Sequence, residues 1–214
     1  MFSQDLILID TETTGRSTRS GYEAIQLAAV RLDKTTLVEK ASFKSLIRPL
    51  NPGHVEPMAM KIHGIPMETL LQAPEHKEVV DGFASALFSP SELADGAKGI
   101  MLAAHNAVFD WDFFTQILER AGKSRDMLGY HIFDVWAVAV DRCALLGVVP
   151  PGGKYSLQNL AEMFHIARPE THDALEDVRV TAEIFRRLTE LMQERLRGGR
   201  DMDREKSGIG RRLG

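Results

Sequence analysis

The run Leu6-Ile7-Leu8-Ile9-Asp10-Thr11-Glu12-Thr13-Thr14-Gly15 sets four apolar residues directly before two carboxylates one position apart. It is short, rich in Ile and Leu and bounded by a turn signal, which reads as a buried strand. Side chains at i and i+2 of a strand point the same way. Asp10 and Glu12 therefore project together from the end of an otherwise apolar strand, and Thr13-Thr14-Gly15 then supplies turn chemistry. Two like charges aimed together repel, and they cost stability unless a cation or solvent balances them. The functional reading is a site for a hard divalent metal, which prefers oxygen ligands. The plainer reading is a strand that surfaces at its acidic end, and the rest of the chain decides between the two.

Working outward, Glu23 to Leu32 and Leu37 to Ile47 read as further strands, the second stopped by Pro49. Three strands with short connections predict an antiparallel meander. Short helices are expected over Glu56 to Ile62, closed by Gly64, and over Pro66 to Leu71. A longer one is expected over Glu75 to Phe88, and Ser89 to Gly99 reads as a loop. Ile100 to Ala104 is a second wholly apolar run, closed by His105-Asn106. A helix follows, with Gly122 as its C-cap. Tyr130 to Val135 reads as a strand, Val135 to Leu146 as a helix, and Ser156 as the N-cap of a helix through Phe164. The last helix is expected from about Asp173 to Leu196. The sum is an α/β domain with a mixed sheet. Its organisation reads as a domain over residues 1–194 and a basic tail over 195–214.

Composition agrees with an ordinary globular chain of 214 residues. The lone cysteine, Cys143, excludes an intrachain disulfide and reads as a small buried hydrophobe. No basic n-region precedes Leu6, and the longest apolar stretch is broken by Asp141 and Arg142, so neither a signal peptide nor a membrane span is expected and the cytoplasm is the expected compartment. The chain carries a net charge of −4. From Arg195 onward there are seven basic and three acidic residues, which leaves the body at −8. An acidic body does not suggest a long nucleic-acid track, yet it leaves room for a small metal-charged pocket that takes the end of a strand. The tail, rich in Gly and charge, is expected to be disordered.

Two further acids change the weight of the first two. Asp110 lies about a turn inside the helix that follows the strand 100–104, at the carboxyl end of that strand, where sites in open α/β sheets gather. His172-Asp173-Ala174-Leu175-Glu176-Asp177 opens the last helix, with Asp173 and Glu176 spaced as a capping arrangement. On one continuous helix His172 and Asp177 would stand roughly 140° apart. With His172 in the preceding loop its ring can return beside Asp177, so that Asp177 can hold a metal while His172 acts as a base. His105 reads as structural, fixing the corner between strand and helix.

Taken together, Asp-x-Glu after the first strand, His-Asn-x-x-Phe-Asp after a central strand and His-x-x-x-x-Asp at the last helix resemble the three motifs of the DEDDh, DnaQ-like 3′→5′ exonucleases. That family belongs to the ribonuclease H-like superfamily and includes the proofreading epsilon subunit of DNA polymerase III. The resemblance runs from about Leu6 to Leu191. Ile62-His63-Gly64-Ile65 and Tyr155-Ser156-Leu157 add to it. It implies a five-stranded mixed sheet, three antiparallel strands leading and parallel strands following, flanked by helices. It also implies two Mg²⁺ or Mn²⁺ ions on Asp10, Glu12, Asp110 and Asp177, with His172 as general base. Thr13, His63, Asn106 and Phe109 would lie near the terminal nucleotides.

The implied activity is hydrolysis of phosphodiester bonds at the 3′ end of single-stranded nucleic acid, DNA favoured, with release of nucleoside 5′-monophosphates. Three roles compete. One is proofreading or repair beside a DNA polymerase, another is free-standing trimming of RNA 3′ ends, and the third is a non-catalytic docking subunit of a polymerase complex. Four intact acids argue against the third.

Overall fold

The computed structural model of the chain describes residues 2–96, 100–124, 132–168 and 173–209. Five strands form one mixed sheet: β1 (Asp5–Thr13), β2 (Ala24–Leu32), β3 (Glu39–Leu46), β4 (Ile100–Ala104) and β5 (Ile132–Asp134). Their order is β3-β2-β1-β4-β5. β1 pairs antiparallel with β2 and parallel with β4, β2 pairs antiparallel with β3, and β4 pairs parallel with β5. The expected meander followed by parallel strands is therefore the observed topology, and β1 lies at the centre of the sheet.

Eight helices accompany the sheet among the described residues: α1 (Pro57–His63), α2 (Met67–Leu70), α3 (His76–Leu87), α4 (Pro90–Ala94), α5 (Ala107–Arg120), α6 (Val135–Leu146), α7 (Leu157–Met163) and α8 (Ala174–Ile209). None of the helices among the described residues is long and apolar enough to cross a membrane.

The two faces of the sheet are set by residue parity along β1. Ile7 and Ile9 enter one core with Val80, Phe83 and Leu87 of α3 and Phe113, Phe114 and Ile117 of α5. Leu6 and Leu8 enter the opposite core with Val135 of α6 and Ala174, Val178 and Phe185 of α8. This is the period-2 alternation of a strand buried on both sides. A third cluster holds Cys143, fully buried among Ala139, Leu160 and Ile184, as expected for a small hydrophobe.

Two expectations are corrected. The segment Ser89 to Gly99 is not simply a loop, because α4 forms there. Ser89 caps it reciprocally with Glu92, and Pro90 occupies the first turn. Ser-Pro-Ser-Glu is a capping box, a signal present in the sequence. The last helix does not stop near Leu196, and the expected disordered tail is replaced by helix as far as Ile209. Charged residues, Arg foremost, fill most of that stretch and no Pro interrupts it, so the helix continues through Gly198-Gly199 even though each Gly costs about 1 kcal/mol relative to Ala.

Candidate active site

Parity also assigns the acids. Asp10 and Glu12 have the even numbering of Leu6 and Leu8, so they stand on the face of β1 that packs against α8. Thr11 has the odd numbering of Ile9 and faces α5. Glu12 pairs in register with Gln26 of β2. The Gln26 side chain is buried, and its Oε1 accepts a hydrogen bond from the N–H of Ala174 at 2.9 Å, which pins the start of α8 to the sheet. Asp173 caps the helix, its Oδ1 accepting from Leu175 N at 3.1 Å and Glu176 N at 3.4 Å. Asp177, the fourth residue of α8, is thereby brought to the two acids of β1. Asp10, Glu12 and Asp177 each present a carboxylate oxygen within 4.8 Å of the others.

Asp110 approaches from the other side. Its Oδ1 accepts from the backbone N–H of Thr11 at 2.9 Å and from the Thr11 hydroxyl at 2.8 Å. Both bonds fall on one oxygen, and they fix α5 to the end of β1. Asp110 is thus tied to the strand between Asp10 and Glu12, outside the group of three but close enough to raise the pKa of both.

The electrostatics are those of a site short of positive charge. Burial, and then the neighbouring carboxylates of Asp110, Glu12 and Asp177, hold the Asp10 carboxyl well above the usual carboxylate range. Burial followed by Asp177, Asp110 and Asp173 pushes Glu12 up to about 8. Burial lifts Asp110 to about 7 even though the Thr11 bonds oppose it. Near neutral pH these groups resist full ionisation, and a divalent cation would relieve both the repulsion and the desolvation. All-carboxylate oxygen donors suit Mg²⁺ or Mn²⁺ rather than a soft metal. The residues present therefore fit the implied ions.

Beside this group is a pocket lined by Glu12, Thr13, Arg16, Met58, Ile62, His63 and Phe109, among others. It exists because the turn after β1 is tied to the segment before α1: the N–H of Glu56 donates to Thr14 O at 2.7 Å. The turn is tight. A Cβ on Gly15 would stand 2.4 Å from the Tyr22 ring, which itself stacks on His54 at 4.6 Å. Arg16 and Glu56 pair across the rim at 3.2 Å, and Met58 and Ile62 expose apolar surface there.

Three of the four expected nucleotide contacts line this pocket, in differing states. The Thr13 hydroxyl donates to Gly15 O at 2.7 Å and serves the turn. Phe109 is half-buried and packs its ring on Phe113 at 4.9 Å. His63 is buried, which holds its pKa down. Its Nδ1 accepts from Ile65 N at 3.0 Å, so in the neutral ring the proton is on Nε2, and that atom has no hydrogen-bond partner among the described residues. Asn106 does not line the pocket. It is exposed, adopts φ +66° as the N-cap of α5, and donates its N–H to Asp134 Oδ1 at 3.1 Å. Asn tolerates the left-handed conformation that this corner requires. His105 beside it is enclosed, with its pKa lowered by burial, in keeping with a structural role. His172 lies outside the described residues.

The local sequence reading missed Thr11, Gln26 and Arg168. Thr11 and Gln26 hold the acids in place. Arg168 forks onto Asp177, with Nε to Oδ1 at 2.8 Å and Nη2 to Oδ2 at 2.6 Å. The interleaving of Thr11 between two acids was a usable signal. No local pattern marked Arg168.

Comparison with known proteins agrees with this architecture. The exonuclease (RNase_T) family model matches residues 7–185. The DNA polymerase III epsilon subunit of Treponema pallidum is 32% identical over 178 residues, covering 82% of this chain and 72% of that protein. The epsilon subunit of Salmonella typhimurium is 30% identical, covering 86% and 70%. The PolC-type DNA polymerase III of Caldanaerobacter subterraneus is 29% identical, and the chain spans only 12% of its length. Among solved structures, E. coli exonuclease I in complex with a dT13 oligonucleotide superposes with a TM-score of 0.72 at 20% identity. That match covers 90% of this chain and 42% of exonuclease I, and it speaks to the fold.

Proposed function

The chain belongs to the exonuclease family, and from that premise we propose that it is a metal-dependent 3′→5′ exonuclease acting on single-stranded DNA ends, with release of nucleoside 5′-monophosphates. The observation that carries the reading is the convergence of Asp10, Glu12 and Asp177, oxygens within 4.8 Å, beside a pocket with apolar walls. Asp10, Glu12, Asp177 and Asp110 would hold two Mg²⁺ or Mn²⁺ ions. Bound divalent cations would polarise the scissile phosphate, lower the pKa of the attacking water and stabilise the leaving oxygen.

The chain's own groups supply the rest. His172, one residue before the cap of α8, would accept the proton of the attacking water, since its reference pKa of about 6.5 suits that task near neutrality. The Phe109 ring and the exposed side chains of Met58 and Ile62 would receive the terminal base, a contact that tolerates any sequence. The relatives named as DNA polymerase III subunits favour DNA as substrate and a polymerase as partner.

The test uses matched single-stranded DNA and RNA labelled at the 5′ end, incubated with protein and Mg²⁺ or Mn²⁺. A ladder that shortens from the 3′ end, is abolished by EDTA and is absent from Asp177→Ala is the expected result. Faster loss of RNA would transfer the reading to RNA trimming, and no degradation of either would overturn it. His172→Ala should slow turnover by about 10²- to 10⁴-fold, the range of a lost general base. Turnover equal to wild type at saturating metal would remove His172 from that role.

A further inference from the structure

Arg168 lies between α7 and α8, and its guanidinium reaches Asp177 of the acid cluster. It grips both oxygens of Asp177 and donates Nη1 to Gln158 Oε1 of α7 at 3.2 Å. The two side chains of the pair are 9% and 7% exposed, so neither charge is open to solvent. A planar fork engages a carboxylate along the lone pairs that a hard cation would otherwise take. Arg168 also eases the burden on the neighbouring acids, opposing the upward shifts of Asp10 and Glu12. Its place is that of a cation in a cation site.

We propose that Arg168 holds the place of the metal at Asp177 in the metal-free protein, and that a divalent cation must displace its guanidinium from that carboxylate in order to bind. The proposal rests on the reading of Asp10, Glu12 and Asp177 as metal ligands. It makes metal loading an exchange of one positive charge for another rather than simple filling. Before loading, Arg168 neutralises Asp177 and eases its repulsion of the two acids at the end of β1. The cost is a weaker apparent metal affinity, because the metal-competent state is only part of the population.

The experiment titrates Mn²⁺ calorimetrically into metal-free wild type, Arg168→Gln and Arg168→Lys, and records the melting temperature of each without metal. Arg168→Gln should bind Mn²⁺ at least about tenfold more tightly, which is about 1.4 kcal/mol, and should melt lower when metal-free. Arg168→Lys keeps the charge but loses the fork, and should bind a few-fold more tightly, about two- to five-fold. In wild type, the Nε–H resonance that is absent from Arg168→Gln should move on addition of diamagnetic Mg²⁺.

Equal or weaker Mn²⁺ binding by Arg168→Gln, with wild-type binding intact, would overturn the proposal and leave Arg168 as an orienting partner of Asp177. An unmoved Nε–H signal would overturn it too. If Arg168→Gln does not fold without metal, the Arg168→Lys affinity decides in the same way. A wild type that binds no Mn²⁺ would instead overturn the metal-site reading beneath it.

Discussion

The two ends of β1 both carry acid, and they treat it in opposite ways. At the start, Asp5 is surrounded by donors: Lys40 Nζ at 2.9 Å, Arg31 Nε at 2.9 Å and the N–H of Lys34 at 3.1 Å. Arg31 is in turn held by Glu92 of α4 and by Leu87 O at 2.7 Å. Burial alone would raise the Asp5 carboxyl, but the bonds from Lys40 and Arg31 outweigh it and hold it below the usual range. At the other end, Asp10 and Glu12 are raised, and Arg168 is the cation that opposes the shift of each. One end of the strand is closed electrostatically by the protein itself. The other is left short of positive charge. Compensated and uncompensated acids are thus separated by about the length of one strand.

The sharpest way to break this comparison is to neutralise each end. Asp10→Asn should reduce nuclease activity to the level of the Asp177→Ala control, yet the metal-free variant should be at least as stable as wild type, because an acid that the fold makes hard to ionise is gone. A gain equivalent to one pKa unit is about 1.4 kcal/mol. Urea unfolding together with the 3′-end assay checks both halves, and a marked loss of stability would show that Asp10 is already compensated.

Asp5→Ala should do the reverse. It takes from Arg31 one of its two carboxylate partners and from half-exposed Lys40 its bond to Asp5, and should cost about 1–3 kcal/mol. The folded fraction should retain wild-type metal affinity. Denaturation midpoints measured alongside Mn²⁺ titration test this, and unchanged stability would mean that Glu92 alone satisfies Arg31.

The two ends also differ in the sign of their pH dependence. Glu12 has a folded pKa of about 8 against about 4.3 in the unfolded chain. Between those values the folded state binds more protons, so its contribution falls as pH rises. Metal-free protein should therefore lose stability from about pH 5 to pH 8, and saturating Mg²⁺ should flatten that slope. Asp5, with its pKa lowered, contributes above its unfolded value and loses that contribution only as pH falls through its folded pKa. Melting temperatures across pH, with and without Mg²⁺, read both limbs.

The effect expected to touch catalysis least comes from the turn that closes the acidic end. Gly15→Ala places a methyl group against the Tyr22 ring, and the contact distance of 2.4 Å forces the ring off His54. A cost of about 1–3 kcal/mol is expected from such overpacking, with a raised KM as the turn shifts the pocket wall. Thermal melts and substrate titration of the variant measure the two effects.

Much of this was legible in the chain itself. Strand parity at Leu6 to Glu12 foretold that Asp10 and Glu12 share a face, and hydrophobic runs located all five strands. The capping box at Ser89 and Glu92 was equally legible, and there the loop reading was at fault. The helical continuation past Leu196 was masked by charge, because a charged run suits an exposed helix as well as a coil. Asn106, placed near the terminal nucleotides by the resemblance alone, forms the N-cap corner of α5 and is not among the residues that line the pocket.

The sequence by itself determined the order of strands and helices and their apolar faces, because these follow from periodicity over a few neighbouring residues, while the candidate metal ligands came from the resemblance of its three motifs to a family. Only the tertiary structure decided which of those residues meet. Thr11 bonds Asp110 across 99 positions, Gln26 clamps Ala174 across 148, and Arg168 folds back onto Asp177. Such contacts depend on where the packed sheet brings each helix end, and the energy of a buried carboxylate depends on every charge that then surrounds it. No local pattern contains that sum.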